Sequence, residues 1–221
     1  MIVDLPLLAL LLLGGWAALD GTSVGQFLIG RPLFAGTLAG ALLGDLSGGF
    51  LIGALLELIS LAGVPAGGVR LSEPGPAAIP AVVALHSLGG ASGGGIALSL
   101  ALGVAWGQVG GASMVLLRHA NGRVMRGTSA LDLPLRHWSC IGLDLLRGLL
   151  LTAVGVGLAL RIPGGWIQLW PLSTSLTLAL CLLPATLEMG VVLRRWIRNR
   201  EGWALLGVSA GAGIFVGLWV L

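Results

Sequence analysis

No residue between Glu73 and Arg118 carries a formal charge. That stretch is more than twice the ~20 apolar residues a helix needs to cross a bilayer. The string GGASGGG at residues 89–95 interrupts it near the middle. Two spanning helices joined by a tight glycine turn are the simplest structure it allows. The rest of the chain agrees: of 221 residues, 56% are hydrophobic and 10% charged, and the mean hydropathy is +1.00. A soluble domain carries about 25% charged residues, so this composition could not cover a water-facing surface.

Charge placement excludes other classes. A net charge of +3 and a pI near 10.1 could suit nucleic acid. That chemistry needs basic residues on one solvated face; here all 12 are arginines, most of them at the ends of apolar runs. Positive ends facing the cytoplasm account for them better, and no nucleic-acid partner is expected. Cys140 and Cys181 have no metal-like spacing and read as small buried hydrophobes. No metal or cofactor site is expected. The N-terminal MIVDLPLLALLLLGGWAALD has no basic n-region, so it is read as a first span rather than a cleaved signal.

The charge-free runs locate six spans: 5–19, two within 74–117, one near 139–160, one in 162–187 and one in 202–221. Asp144 and Arg147 fall inside the fourth; three apart on a helix, they share a face and can pair. Between Arg31 and Glu73 the pattern changes. Charges at Asp45, Glu57 and Arg70 leave apolar pieces of 11 to 13 residues, and 13 helical residues rise only about 20 Å. Short, glycine-interrupted pieces mark the broken helices of transporter binding sites. The fold class predicted is all-α: a polytopic membrane protein with about six spanning helices and a broken or re-entrant segment near residues 32–64. A single domain covers residues 1–221. Tilted spans with charges at their ends are the alternative reading of 32–64.

Glycine spacing adds helix packing. Gly36, Gly40 and Gly44 form GxxxGxxxG, Gly103, Gly107 and Gly111 repeat it, and Gly207/Gly211 and Gly213/Gly217 add pairs. Small residues four apart let backbones approach closely in lipid. Two motifs are set aside. GASG at residues 90–93 fits an intramembrane serine protease, but no histidine lies on a suitable neighbouring span to act as base. GTSVGQ lacks the GK[ST] of a phosphate loop.

Function is expected in residues 14–80, where Asp20, Gln26, Arg31, Asp45, Glu57 and Glu73 stand among apolar residues and glycines. Ionisable groups at membrane depth are costly and face a cavity or a partner. Carboxylates and amides that accept and donate to hydroxyls, with small residues between them, suit a sugar. The candidate substrate-binding residues are Gln26, Glu57 and Glu73, with Asp20 and Arg31 second. Two structural readings stand beside this one: Glu57 ion-paired with Arg31 or Arg70, and Asp45 capping a helix.

The string ALDGTSVGQFLIGRPLFAGTLAGALLGD, then GFLIGALLELISL and a PGPAA segment, resembles the IIC permease subunit of mannose/fructose/sorbose-type sugar phosphotransferase systems. The resemblance covers roughly residues 14–85. Where members carry a PPD-like segment this chain reads LSEP, with Glu73 in the acidic place. The resemblance implies a multi-pass protein of the cytoplasmic (inner) membrane that pairs with a IID membrane subunit in a larger oligomer. It would deliver a hexose or related sugar to a phosphohistidine-bearing IIB protein, charged in turn by IIA. It implies no catalytic residue in this chain. An orphan IIC-like regulator or scaffold without transport of its own is the second reading.

Orientation follows from the arginines. Clusters at 118–136 and 194–200 can both be cytoplasmic, which leaves only Arg161 outside and both termini outside. Single cysteines replacing Gly122 and Asn199 are expected to react only with thiol reagents that enter the cell. Labelling of both from outside intact cells overturns this orientation.

Overall fold

The computed structural model describes residues 6–60, 72–196, 202–204 and 207–208. Among these the regular structure is helical: α1 (Leu7–Thr22), α2 (Pro32–Leu43), α3 (Leu46–Ser60), α4 (Pro74–Ser87), α5 (Gly93–Val124), α6 (Leu133–Ala159) and α7 (Thr174–Trp196), with a 3₁₀ turn at Gly164–Leu169. Among the described residues only α5 and α6, of 32 and 27 residues, are long and apolar enough to cross a membrane by themselves. Helices α1, α2 and α3 and the Thr174–Pro184 part of α7 are shorter apolar pieces.

The segment expected to be broken is an antiparallel hairpin. Pro32 opens α2, where its missing N–H goes unneeded. Gly44 closes it in the left-handed conformation (φ 75°), which glycine adopts without a steric penalty. Asp45 then caps α3, its Oδ1 accepting from the Gly48 N–H at 2.9 Å. This is the capping role foreseen for Asp45. The glycine stripe is the seam of the hairpin. A Cβ on Gly49 would lie 2.5 Å from the Gly36 carbonyl oxygen and 2.6 Å from the Gly40 Cα. With 12 and 15 residues, α2 and α3 rise only about 18 and 22 Å. Residues 61–64, the end of the expected segment, lie outside the described residues.

Helix α4 is the hub. All residues from Gly75 to Leu85 are buried, and α1, α2, α3, α5 and α6 all pack on it. A helix apolar all round belongs in the interior. The second glycine repeat lies against it: Gly103 meets Ala81 and Leu56, and Gly107 meets Pro74. Gly148 lets α6 approach α1, its Cβ position only 3.0 Å from the Gly15 Cα. Of the remaining glycine pairs, Gly207 has no neighbour within 4 Å of a Cβ; Gly211, Gly213 and Gly217 lie outside the described residues.

Several expected boundaries shift. Helix α5 runs past Arg118 and Arg123, and α6 starts at Leu133, so the loop expected over 118–136 is only 125–132. The span expected from 162 begins with Pro163, a 3₁₀ turn and an extended stretch, and helix resumes only at Thr174. Charge-free runs measure compatibility with hydrocarbon, whereas arginines are welcome in a helix's last turns. Ser92, the serine of GASG, caps α5 by accepting from the Gly95 N–H at 3.1 Å. Cys140 and Cys181 are free thiols, half-buried instead of fully enclosed. Leu8, Leu116, Leu135, Trp138 and Leu169 are largely exposed, an exterior that suits lipid or a membrane partner.

The hairpin seam admits no side chain. Gly49→Val should destabilise the protein by about 1–3 kcal/mol through overpacking, read as a lowered melting temperature in detergent. Gly157→Ala, where a Cβ meets nothing within 4 Å, should leave melting unchanged or slightly raised. Equal melting of the two variants refutes the close contact.

Candidate functional site

Between α1 and α2 the chain leaves helix for nine residues, 23–31. Asp20, buried on α1 at 3% exposure, organises this break. Its Oδ1 accepts from the Phe27 N–H and its Oδ2 from the Gly30 N–H at 2.8 Å. Backbone donors offset the cost of burying the carboxylate. The loop turns through positive φ at Gly25 (101°), Gln26 (66°) and Leu28 (70°). It ends with the Gly30 carbonyl against Gly75, too close for any Cβ, so the entry to α2 and the first turn of α4 are in backbone contact.

Beside that contact lies a cavity of about 360 Å³, within the range of small-molecule sites. The end of α1 contributes Gly21 and Thr22, the entry to α2 Arg31, the end of α3 Ser60, the approach to α4 Ser72 and Glu73, and α5 Met114 and Arg118. Among the described residues its polar groups are three hydroxyls, two guanidinium groups and one carboxylate. Glycines Gly30, Gly75 and Gly111 bring backbone to its surface.

Each described acidic residue near the cavity is held by the protein. Glu57 pairs with Arg31 through Oε1 and accepts weakly from the Leu33 N–H at 3.4 Å through Oε2. This is the Arg31 pairing weighed from sequence; Arg70 lies outside the described residues. Glu73 is gripped at both oxygens by Arg147 of α6, with Nη1 to Oε2 at 2.6 Å and Nη2 to Oε1 at 2.8 Å. Arg147 also donates to Ser113 Oγ at 2.9 Å and, through Nε, to Asp144 Oδ1 at 3.0 Å. The pairing expected between Asp144 and Arg147 is therefore present. Asp144, fully buried, accepts at Oδ2 from the hydroxyls of Thr22 and Ser23.

Of the five candidates, Arg31 and Glu73 line the cavity. Asp20 and Glu57 stand one layer behind it, each bonded to an element that forms its wall. Gln26 is exposed at the loop crest and does not line the cavity. Thr22, Ser60, Ser72 and Arg118 are lining residues that sequence reasoning missed. Isolated hydroxyls in apolar sequence carry no signal, and Arg118 had been read only as a marker of orientation. The mixture of hydroxyls, charged donors and exposed backbone can recognise a compact polyhydroxylated ligand.

Asp20→Asn keeps the shape but turns an NH₂ toward one of two backbone N–H groups. A cost of about 1–3 kcal/mol is expected from the unsatisfied donor. Limited proteolysis should then cut within 23–30 faster than in the unmodified protein, and an unchanged rate removes Asp20 as the anchor.

Comparison with known proteins supplies context for this geometry. Residues 6–127 match the family described as the PTS system sorbose-specific IIC component. A solved structure described only as a membrane protein is similar over 100% of this chain and 96% of that one, with a TM-score of 0.63 and 20% identity. The cryo-EM structure of the mannose transporter ManYZ in complex with microcin E492 is similar over 100% of this chain and 94% of that one, with a TM-score of 0.53 and 20% identity. No curated protein sequence matches the chain.

Proposed function

We infer the function from one premise: this chain belongs to the sorbose-specific IIC component family of the sugar phosphotransferase system. It is a membrane component of such a sugar permease. On that basis its role is to carry a hexose or related sugar across the cytoplasmic membrane, as a multi-pass single domain spanning residues 1–221. A separate IIB protein phosphorylates the sugar on the inner side. A IID membrane subunit completes the permease as part of an oligomer, and IIA recharges IIB.

One observation carries the assignment of the sugar to the cavity. Every described residue that lines it lies within the matched residues 6–127. The lining also has the right chemistry, since hydroxyl, guanidinium and carboxylate groups exchange hydrogen bonds with a polyol. We place the sugar against Arg31 and Glu73, with Glu57 setting the position of Arg31 and Asp20 that of the loop. Gln26 reaches the ligand only if its loop folds inward.

A second reading has its own support. Asp20, Glu57 and Glu73 all have protein partners, so none of these three carboxylates stands free for a sugar. A IIC-like regulator or scaffold with no transport of its own would need none.

Uptake separates the two. Cells expressing this chain together with IID, IIB and IIA should accumulate labelled mannose, fructose or sorbose, and omission of IID should abolish uptake. No uptake by a well-assembled complex favours the regulator. Within an active complex, Glu57→Gln leaves Arg31 without its counter-charge. A charge-assisted hydrogen bond is worth about 1.5–3 kcal/mol, so sugar affinity should fall roughly 10- to 150-fold. Unchanged affinity with normal assembly removes Glu57 from the site.

A further inference from the structure

Two of the cavity walls that carry polar groups, the end of α1 and the approach to α4, are not bonded to each other through their described polar side chains. Each is bonded to α6. Thr22 lines the cavity and donates to Asp144; Glu73 lines it and is gripped by Arg147. Asp144 and Arg147 do not line the cavity, and they lie beyond the residues that match the family. We propose that Asp144 and Arg147 are positioning residues for the cavity, a charged brace that fixes the distance between its α1 and α4 walls. This rests on the cavity being the sugar site.

The geometry suits a brace for three reasons. Its platform is rigid, because Gly148, the neighbour of Arg147, puts α6 in backbone contact with α1. Its bonds are saturated: Arg147 spends both terminal nitrogens on Glu73, with further bonds to Ser113 and Asp144. Its charges are shielded, with Asp144 wholly buried and the side chains of Arg147 and Glu73 only 10% and 12% exposed. A charge at this depth cannot be left without its partner, so the arrangement is held or lost as a unit.

The brace is also a partition. On the far side of Arg147 and Ser113 lies an apolar groove between α5 and α6, lined by Trp106, Leu117, Leu146 and Leu150. Glu73 faces the cavity and Arg147 faces the groove, so their ion pair separates a polar chamber from an apolar one. Besides it, the approach to α4 is tied to α5 by the Glu73 N–H donating to the Gly107 carbonyl at 2.9 Å, while Pro74 and Pro76 contribute no backbone donor to the first turn.

The test uses the complete chain co-purified with its IID partner, comparing Arg147→Lys and Asp144→Asn with the unmodified complex. An ammonium cannot reproduce the forked contacts of a guanidinium. Equilibrium binding of tritiated mannose, fructose and sorbose is one readout. The second is the rate at which a charged thiol reagent labels Ser72→Cys in a background with Cys140→Ser and Cys181→Ser. We expect sugar affinity roughly tenfold weaker or worse, an unchanged number of binding sites, and faster labelling as the cavity opens.

Variants that assemble normally and both bind and label like the unmodified complex overturn the brace. If the single variants fail to assemble, Glu73→Gln, Asp144→Asn and Arg147→Met together remove all three charges and leave no orphan. Faster labelling of that triple variant supports the brace, and an unchanged rate overturns it. If the unmodified complex binds none of the three sugars, the transport reading is the part that fails. The labelling rates then still decide whether Asp144 and Arg147 hold the walls.

Discussion

Arg147 reaches into the interior of the helix assembly, its side chain only 10% exposed, and the cavity is arranged around what it holds. Hydrocarbon supplies no counter-charge and no water, so each carboxylate near the centre needs a donor from the protein. Glu73 and Asp144 share Arg147, Glu57 has Arg31, and Asp20 has two backbone N–H groups. Two of the ties run between elements far apart in sequence, Arg147 to Glu73 and Thr22 to Asp144. Together the partnerships tie the ends of α1, α3 and α4 and the entry to α2 around one chamber.

Close backbone contact does the rest. Helices of 12 to 16 residues cannot span a bilayer singly, and their ends must finish inside protein. Glycine makes this possible where the chain doubles back: at the α2–α3 seam, at the Gly30–Gly75 contact and where α6 crosses α1. The short helices therefore end at the cavity, where their terminal backbone groups can meet a polar ligand. A long, regular helix would have carried the backbone past that point with every donor satisfied.

Much of this was legible in the sequence, and the boundary has a physical origin. Charge spacing revealed the broken segment at 32–64, glycine spacing its seam, and the i, i+3 relation the Asp144–Arg147 pair. Hydropathy misjudged helix ends, because α5 continues through Arg118 and Arg123 while α4 stops after 14 residues inside an uncharged run. It registers the solvent a residue tolerates, and the prolines and caps that end a helix are separate signals. Of the five candidates, the structure brings two to one cavity and leaves one apart from it. Arg31 and Glu73 line the cavity, Asp20 and Glu57 support it, and Gln26 lies on the loop surface. The grip of Arg147 on Glu73, 74 positions apart, left no pattern in either local stretch.

That last contact explains why a family signature can stop near the middle of a chain whose whole length shares a fold with solved structures. A lipid-facing position asks only for an apolar residue, and Leu, Val, Ile or Ala serve alike. Sequence can drift there while the helix stays in place. The first half is held more tightly, since its glycines touch backbone and its polar residues meet one another or the cavity. Helix α6 belongs to the permissive half by composition, yet at Gly148, Asp144 and Arg147 it obeys the stricter rule. Its remaining surface can vary freely, but those three positions are bound to the geometry of α1 and α4. The polar network behind the cavity therefore extends beyond the stretch that carries the signature, because Asp144 and Arg147 of α6 bond to its α1 and α4 walls.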